Sequence, residues 1–251
     1  MYLFLASNIG GVKKENGNKI PIKFFENNDF LKNLKKIIKN NKKFVLVASD
    51  PDNYERNDLF LQMDIEALKL SGLTFEEYLV LDGRAKENIT SILEDCDLIF
   101  LCGGNTLIQN KFFNSINLKK YLKDVDSVIV GISAGSINSA GDVYNSPESD
   151  EDLNNSPYLK GLGLTTINIE PHFILENLND DYNKKLQRNA IIKESYNRTI
   201  IALTDGAYIL QTNNECKLYG ESYKIKNGII DKICDNDEDR KSTRLNSSHH
   251  D

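Results

Sequence analysis

Short, nearly uninterrupted apolar runs alternate with segments of helical periodicity through the first two thirds of the chain. The runs lack the alternation of half-exposed strands, so we predict strands that are buried on both faces of a parallel sheet. These strands are Tyr2–Ala6, Phe44–Ala48, Glu77–Leu81, Asp97–Leu101 and Ser127–Ile132. The segments between them predict a helix that begins at Asn28 or Asp29 and further helices at Leu59–Leu70 and Ile89–Leu93. This order predicts an α/β fold with a doubly wound, mostly parallel sheet flanked by helices.

The last third of the chain has a different pattern. Residues 141–158 are acidic, rich in serine and asparagine and nearly devoid of apolar residues, which predicts a long functional or mobile loop. We then expect a strand over Thr165–Ile169 and a helix from Asp180 or Asp181 to about Ser195. Turn signals at Asp205-Gly206 and Asn227-Gly228 predict antiparallel β additions near the C-terminus. Their strands are Thr199–Leu203, Ala207–Gln211, Lys217–Tyr219 and Tyr223–Ile225.

Residues 239–251 resemble the in-frame translation of a sequencing adapter. We therefore expect one α/β domain over residues 1–238 and a disordered or non-native tail over residues 239–251. His249 and His250 are then excluded as functional residues, and His172 is the single histidine of the natural chain.

Composition excludes several classes of protein. A net charge of −6 and a pI near 5.3 argue against a nucleic-acid partner. No apolar run approaches the roughly 18 residues that a membrane span needs. The four cysteines have neither zinc-site nor disulfide-framework spacing. We expect a cytoplasmic protein with no metal, no cofactor and no membrane partner, and its oligomeric state stays open between monomer and homodimer.

Candidate chemistry centres on Ser133, in the pentapeptide Gly131–Gly135. The pentapeptide lies between a predicted strand and a helix, which is the geometry of a nucleophile elbow. A serine hydroxyl needs a neighbouring base, and His172 is the histidine available. The sequence therefore predicts a Ser133–His172 dyad.

A second glycine-rich turn, Cys102–Thr106, follows the strand that ends at Leu101. The backbone N–H groups of Gly104 and Ala134 could together form an oxyanion hole. Asn105 is a candidate for the cap of the next helix and for substrate contact. The residue that would orient His172 stays open at this point, because several acidic residues qualify: Asp142, Glu148, Asp150, Glu151, Asp152 and Glu170.

These motifs, taken together, resemble the dipeptidase E/cyanophycinase family of serine peptidases. The resemblance rests on Gly103–Thr106, Gly131–Gly135, Gly161–Leu164, Pro171-His172-Phe173 and the Asp205-Gly206 turn. It implies a class I glutamine amidotransferase-like fold, with Ser133 as nucleophile, His172 as base, and Gly104 with Ala134 as oxyanion hole. The spacing of the dipeptidase branch implies Glu148 as the acid, and that of the cyanophycinase branch favours Glu151.

The resemblance also implies a short peptide substrate with an acidic, Asp-like residue. A carboxylate on that substrate would meet an arginine, and Arg56 and Arg188 are the candidates. Glu170 stands where the dipeptidases have asparagine and could contact the imidazole itself, since both side chains share a face of an extended segment. The acidic loop could instead favour a cationic end of the substrate.

Three other functions compete with a dipeptidase. An α/β-hydrolase esterase shares the pentapeptide, but the 39 residues from Ser133 to His172 leave no room for its further βα units. An amidotransferase would have a thiolate in the elbow. A catalytically silent member of the same fold would bind a peptide without cleaving it.

Overall fold

The computed structural model describes residues 1–123, 125–175 and 181–241, the last three by their backbone alone. The α-helices are α1 (Phe30–Ile37), α2 (Tyr54–Leu70), α3 (Ile89–Leu93), α4 (Thr106–Ser115), α5 (Leu118–Leu122), α6 (Ala134–Ile137) and α7 (Tyr182–Glu194). Short 3-10 helices cover Asn27–Asp29, Gly83–Ala85 and Asp150–Asn154.

The strands, in chain order, belong to two larger sheets and two hairpin-like pairs. The first eight are β1 (Tyr2–Ala6), β2 (Gly10–Glu15), β3 (Asn18–Phe24), β4 (Lys43–Val47), β5 (Glu77–Leu81), β6 (Leu98–Leu101), β7 (Val128–Ile132) and β8 (Asp142–Tyr144). The others are β9 (Tyr158–Lys160), β10 (Asn168–Glu170), β11 (Ile200–Leu203), β12 (Tyr208–Gln211), β13 (Cys216–Tyr219), β14 (Ser222–Lys226), β15 (Ile229–Cys234) and β16 (Asp239–Lys241).

The larger sheet has the strand order β16-β13-β12-β1-β7-β6-β4-β5. Five adjacent strands of this sheet are parallel, namely β1, β7, β6, β4 and β5. Beyond β1 the sheet continues with the antiparallel strands β12, β13 and β16. The predicted fold class is therefore confirmed, including the antiparallel part near the C-terminus.

The central strands are buried on both faces, as their continuous apolar runs predicted. Leu3 and Leu5 of β1 pack into one core cluster, while Phe4 packs into the cluster on the opposite face of the sheet. On that second face Phe4 contacts the rings of Phe30 and Tyr208, with centroids 5.6 Å away in both cases. The apolar stripe of α1 thus covers the sheet through aromatic packing.

A second sheet, β10-β11-β14-β15, adjoins the larger one. In it β10 and β11 are parallel neighbours, so their carboxyl ends lie at the same edge. The turn 204–207 after β11 leads the chain into β12 of the larger sheet. Asp205 therefore lies where the chain crosses between the sheets.

Several elements differ from the sequence prediction. The β2–β3 hairpin was not predicted, because its lysine-rich strands are largely exposed. The predicted long loop contains β8 and a 3-10 helix. The predicted strand Thr165–Ile169 begins only at Asn168, since the Thr165 hydroxyl bonds to the Gln211 side chain and receives the Ile167 N–H. Of the tail, residues 239–241 form β16, and residues 242–251 lie outside the described residues.

Candidate active site

Ser133 occupies a sharp turn between β7 and α6. Its backbone has φ 51° and ψ −109°, a conformation that non-glycine residues rarely adopt and that costs energy. A Cβ at Gly131 would lie 2.8 Å from the backbone nitrogen of Ser136, and a Cβ at Gly135 would overlap the carbonyl oxygen of Leu101. Both glycines are therefore needed for the close approach that lifts the serine hydroxyl above the sheet.

The Ser133 hydroxyl lies against His172, which in turn lies against Asp205. Ser133 Oγ is 2.9 Å from His172 Nε2, and His172 Nδ1 is 2.6 Å from Asp205 Oδ1. A carboxylate can only accept a hydrogen bond, so Nδ1 carries the proton and Nε2 is free to accept one from the serine. The hydrogen bond from His172 holds the pKa of Asp205 below its usual value.

The carboxylate on the ring is not the one that the sequence predicted. Glu148 is exposed on the loop after Pro147, and in the described part of the chain the ring's hydrogen-bond partners are Ser133 and Asp205. Glu148 lies fifteen residues after Ser133, beyond β8, and its place is in the wall of a cavity rather than beside the imidazole. Asp205 reaches the ring because β10 and β11 are paired and end together.

The other candidate acids are also engaged away from the imidazole. Asp150 accepts a hydrogen bond from the Tyr182 hydroxyl, and Glu151 is exposed. Glu170 is 4% exposed and accepts hydrogen bonds from Ser146 and Gln187. The expectation that Glu170 shares a face with His172 assumed extended backbone. It fails because His172 has φ 56°.

Burial raises the pKa of Glu170 to about 8. Glu170 ends β10, and its carboxyl faces Gln187 of α7. The hydrogen bonds from Gln187 and Ser146 do not offset the desolvation of the charged carboxylate. Glu170 is therefore a buried carboxyl that the structure keeps apart from the reacting groups.

Two polar residues after β1 hold His172 and Asp205 in place. The hydroxyl of Ser7, which is fully buried, accepts the backbone N–H of His172 at 2.8 Å and donates to Asp205 Oδ1 at 3.0 Å. Asn8 Nδ2 donates to Asp205 Oδ2 at 3.3 Å. Sequence analysis missed Ser7 and Asp205, although both stand just beyond the carboxyl end of a buried strand, as Ser133 and His172 do.

The two expected oxyanion donors lie beside the serine. The Cβ position of Gly103 is 3.5 Å from the Cβ of Ser133, so this turn and the elbow are in contact. Gly104 has φ +148°, and a Cβ there would overlap the Ser49 hydroxyl. Ala134 is the first residue of α6, where a backbone N–H has no partner within the helix. Neither the Gly104 nor the Ala134 N–H has a hydrogen-bond acceptor among the described residues. Asn105 caps α4 by accepting the Ile108 N–H at 2.9 Å.

The two arginines that the sequence suggested for substrate binding differ in availability. Arg188 donates to the backbone carbonyl oxygens of Ile174 and Leu175, so its guanidinium fixes the segment after His172. Arg56 is exposed on α2, and it lies 5.0 Å from the ring centroid of Phe60. Lys19 Nζ lies 4.4 Å from the centroid of the same ring. Partial burial, and then repulsion by Arg56 and Lys14, lower the pKa of Lys19.

The Cys102 thiol directly precedes the Gly103–Gly104 turn. Burial raises the pKa of the Cys102 thiol well above its usual value, an effect that Asp64 strengthens and Arg56 opposes. The thiol next to the turn is therefore protonated and is not a rival nucleophile.

A cavity of about 400 Å³ opens beside Gly104. Its walls are the start of α4, the segment 144–158 and the last turns of α7. Glu148 lies in its lining, as does Glu194, which is paired with Arg198 at 2.7 Å.

The described residues include no group of three or more His, Cys, Asp or Glu side chains that could hold a metal ion. In the same residues no helix is long and apolar enough to cross a bilayer.

Comparison with known proteins identifies the family of the chain. Residues 22–219 match the model of peptidase family S51. The fold is similar to that of a peptidase from an acI-B1 Actinobacterium, with a TM-score of 0.64, 15% identity and 96% of each chain covered. It is also similar to a provisionally assigned peptidase E protein from Listeria monocytogenes EGD-e, with a TM-score of 0.52, 17% identity, and 93% of this chain and 98% of that chain covered. No curated protein matches the sequence.

The resemblance that the motifs indicated is thereby confirmed at the level of the family. The family match covers both glycine-rich turns, the histidine and the Asp-Gly turn. The chain belongs to peptidase family S51 and is a serine peptidase.

Proposed function

We propose that this serine peptidase hydrolyses short peptides, as a dipeptidase, through a Ser133–His172–Asp205 triad. The observation that supports the triad is the continuous chain of contacts from hydroxyl to imidazole to carboxylate, at 2.9 and 2.6 Å. This arrangement replaces the Glu148 triad that the family spacing implied.

In the first step His172 Nε2 takes the proton of Ser133 as its oxygen forms a bond to the substrate carbonyl carbon. Asp205 stabilises the imidazolium that results and keeps its proton on Nδ1. The N–H groups of Gly104 and Ala134 receive the negative charge on the carbonyl oxygen, and each donor of this kind is worth about 3 kcal/mol of barrier reduction. His172 then returns the proton to the leaving amine.

In the second step water releases the acyl group. His172 takes a proton from the water, the hydroxide adds to the ester carbon, and Ser133 leaves with the proton restored by the imidazolium. Each residue ends in its starting state.

We propose an acidic residue in the substrate, on the basis of Arg56 and Lys19. Neither cation forms an ion pair within the described residues, and both lie on the ring of Phe60. A substrate carboxylate would neutralise this repelling pair. Arg188 is the weaker candidate, because two of its N–H groups already bind carbonyl oxygens.

We also place the enzyme in the cytoplasm. Cys96, Cys102 and Cys216 are buried free thiols, and such thiols are typical of a reducing compartment.

The test combines a covalent probe with a substrate survey. A fluorophosphonate should label Ser133 in the wild type, and labelling should be lost in Ser133→Ala and His172→Ala. Dipeptides that contain aspartate should be cleaved faster than their asparagine counterparts, and Arg56→Gln should reduce that difference. Labelling without dipeptide cleavage, but with cleavage of simple esters, would replace the dipeptidase by an esterase. A folded wild type that is not labelled would indicate a peptide-binding protein.

A further inference from the structure

Exposed apolar side chains are concentrated around the cavity beside Gly104. Eleven large apolar or aromatic residues are substantially exposed in the described part of the chain. Three of them, Ile108, Leu153 and Tyr158, line this one cavity, with exposed fractions of 42%, 58% and 51%. Apolar surface gathered in this way marks a site of interaction, since single exposed apolar residues elsewhere need no explanation.

The cavity is continuous with the proposed catalytic centre. Gly104, whose N–H is the proposed oxyanion donor, is in its lining, and the preceding residue Gly103 contacts Ser133. A carbonyl group held between Ser133 and Gly104 would therefore direct one of its two substituents toward the cavity. The occupant is consequently a part of the substrate.

Two of the acidic groups in the walls are engaged with neighbouring residues. Glu194 pairs with Arg198 and accepts the Tyr158 hydroxyl at 2.8 Å. Asp152 accepts the backbone N–H groups of Glu148 and Ser149. The side chains of Ile108, Leu153 and Tyr158 remain exposed to an occupant of the cavity.

The volume suits a bulky group. A cavity of about 400 Å³ lies within the range of small-molecule sites. Pro147 and Pro157, on either side of the wall segment, stiffen its backbone. The shape is therefore built into the loop rather than formed by a flexible chain.

We propose that this cavity binds a bulky apolar side chain of the peptide, on one side of the scissile bond. The inference rests on the proposed function and specifies its substrate as a peptide that joins an acidic residue to an aliphatic or aromatic one. In this proposal the acidic residue is bound by Arg56 and the apolar residue enters the cavity beside Gly104.

The experiment measures kcat/KM for dipeptides in which each position is varied in turn among glycine, lysine, leucine and phenylalanine, with aspartate at the other position. Leucine or phenylalanine should exceed glycine by roughly 10- to 100-fold at one position, the range that an apolar pocket provides. Leu153→Ser and Ile108→Ser should reduce this preference several-fold through KM. Ile229→Ser, which changes an equally exposed residue on β15 outside the cavity, should leave it unchanged.

The rate of fluorophosphonate labelling distinguishes a failure of the cavity proposal from a failure of the proposed peptidase function. The probe reacts at Ser133 without filling the cavity, so all three variants should be labelled at the wild-type rate. Normal labelling with equal cleavage of the glycine and phenylalanine substrates would overturn the cavity proposal alone. Equal effects of Ile229→Ser and Leu153→Ser would overturn it as well. Absence of labelling in the wild type would overturn the proposed function and this inference with it.

Discussion

Replacing Asp205 by asparagine tests the proposed triad at the residue that sequence analysis did not identify. Asparagine preserves the size of the side chain but removes its charge. The imidazolium that forms when His172 accepts the serine proton then has no anionic partner, and the amide can also favour the wrong tautomer of the ring. Turnover should fall while the fold is retained.

The magnitude follows from the contact itself. The Nδ1–Oδ1 distance is 2.6 Å, and the side chains of His172 and Asp205 are 46% and 52% exposed. For charge centres about 4 Å apart near the surface, an effective dielectric constant of about 20 applies and the attraction is about 4 kcal/mol. Since about 1.36 kcal/mol corresponds to a tenfold change in rate, kcat should fall about a thousandfold.

The assay is steady-state hydrolysis of the best aspartyl dipeptide by wild type, Asp205→Asn and Glu148→Gln. Glu148 is an exposed carboxylate in the lining of the neighbouring cavity, so its variant can change KM, whereas its kcat should stay within about threefold of the wild type. Circular dichroism verifies that all three proteins are folded. If Asp205→Asn keeps more than a tenth of the activity, or if Glu148→Gln loses as much as Asp205→Asn, the assignment of the acid is refuted.

Three further predictions concern groups around the triad. Ser7→Ala should lower kcat about 10- to 100-fold with little change in KM, because it removes a hydrogen bond to a charged group; a change confined to KM would contradict this. Gly135→Ala should destabilise the fold by about 3 kcal/mol or more, seen as a lower Tm, because the methyl group would meet the Leu101 carbonyl. Gly141→Ala, whose Cβ would have its nearest neighbour at 3.5 Å, is its control. Because the pKa of Glu170 rises to about 8 on folding from 4.5, its contribution to stability is complete below pH 4.5 and is lost as the pH rises to about 8. The free energy of unfolding of Glu170→Gln should therefore change less between pH 5 and 9 than that of the wild type, and equal slopes in denaturant titrations would contradict this.

The buried elements were predictable because their residue patterns are local. β5 and α3 have the predicted bounds, and the parallel part of the large sheet follows from its continuous apolar strands. The β2–β3 hairpin was missed since its exposed, lysine-rich strands bury little apolar surface and give no periodic signal.

Ser133 and His172 were predictable for a different reason. The chain offers one elbow pentapeptide and, before the tail, one histidine. The acid was not predictable, because many carboxylates compete and the choice depends on strand pairing. Asp205 was interpreted as part of a turn, which it is. Its contact with a ring 33 residues earlier in the chain exists only because β10 and β11 lie side by side.

The division of the triad between two sheets has a consequence for inactivation. Ser133 belongs to the eight-stranded sheet, whereas His172 and Asp205 extend from adjacent strands of the four-stranded one. Ser7, just after β1 of the eight-stranded sheet, bonds to both His172 and Asp205. A shift of one sheet relative to the other would therefore break these bonds as it separated the imidazole from the serine hydroxyl. Such a shift would abolish activity while every strand stayed intact. The reactivity of Ser133 therefore reports whether the two sheets keep their relative position.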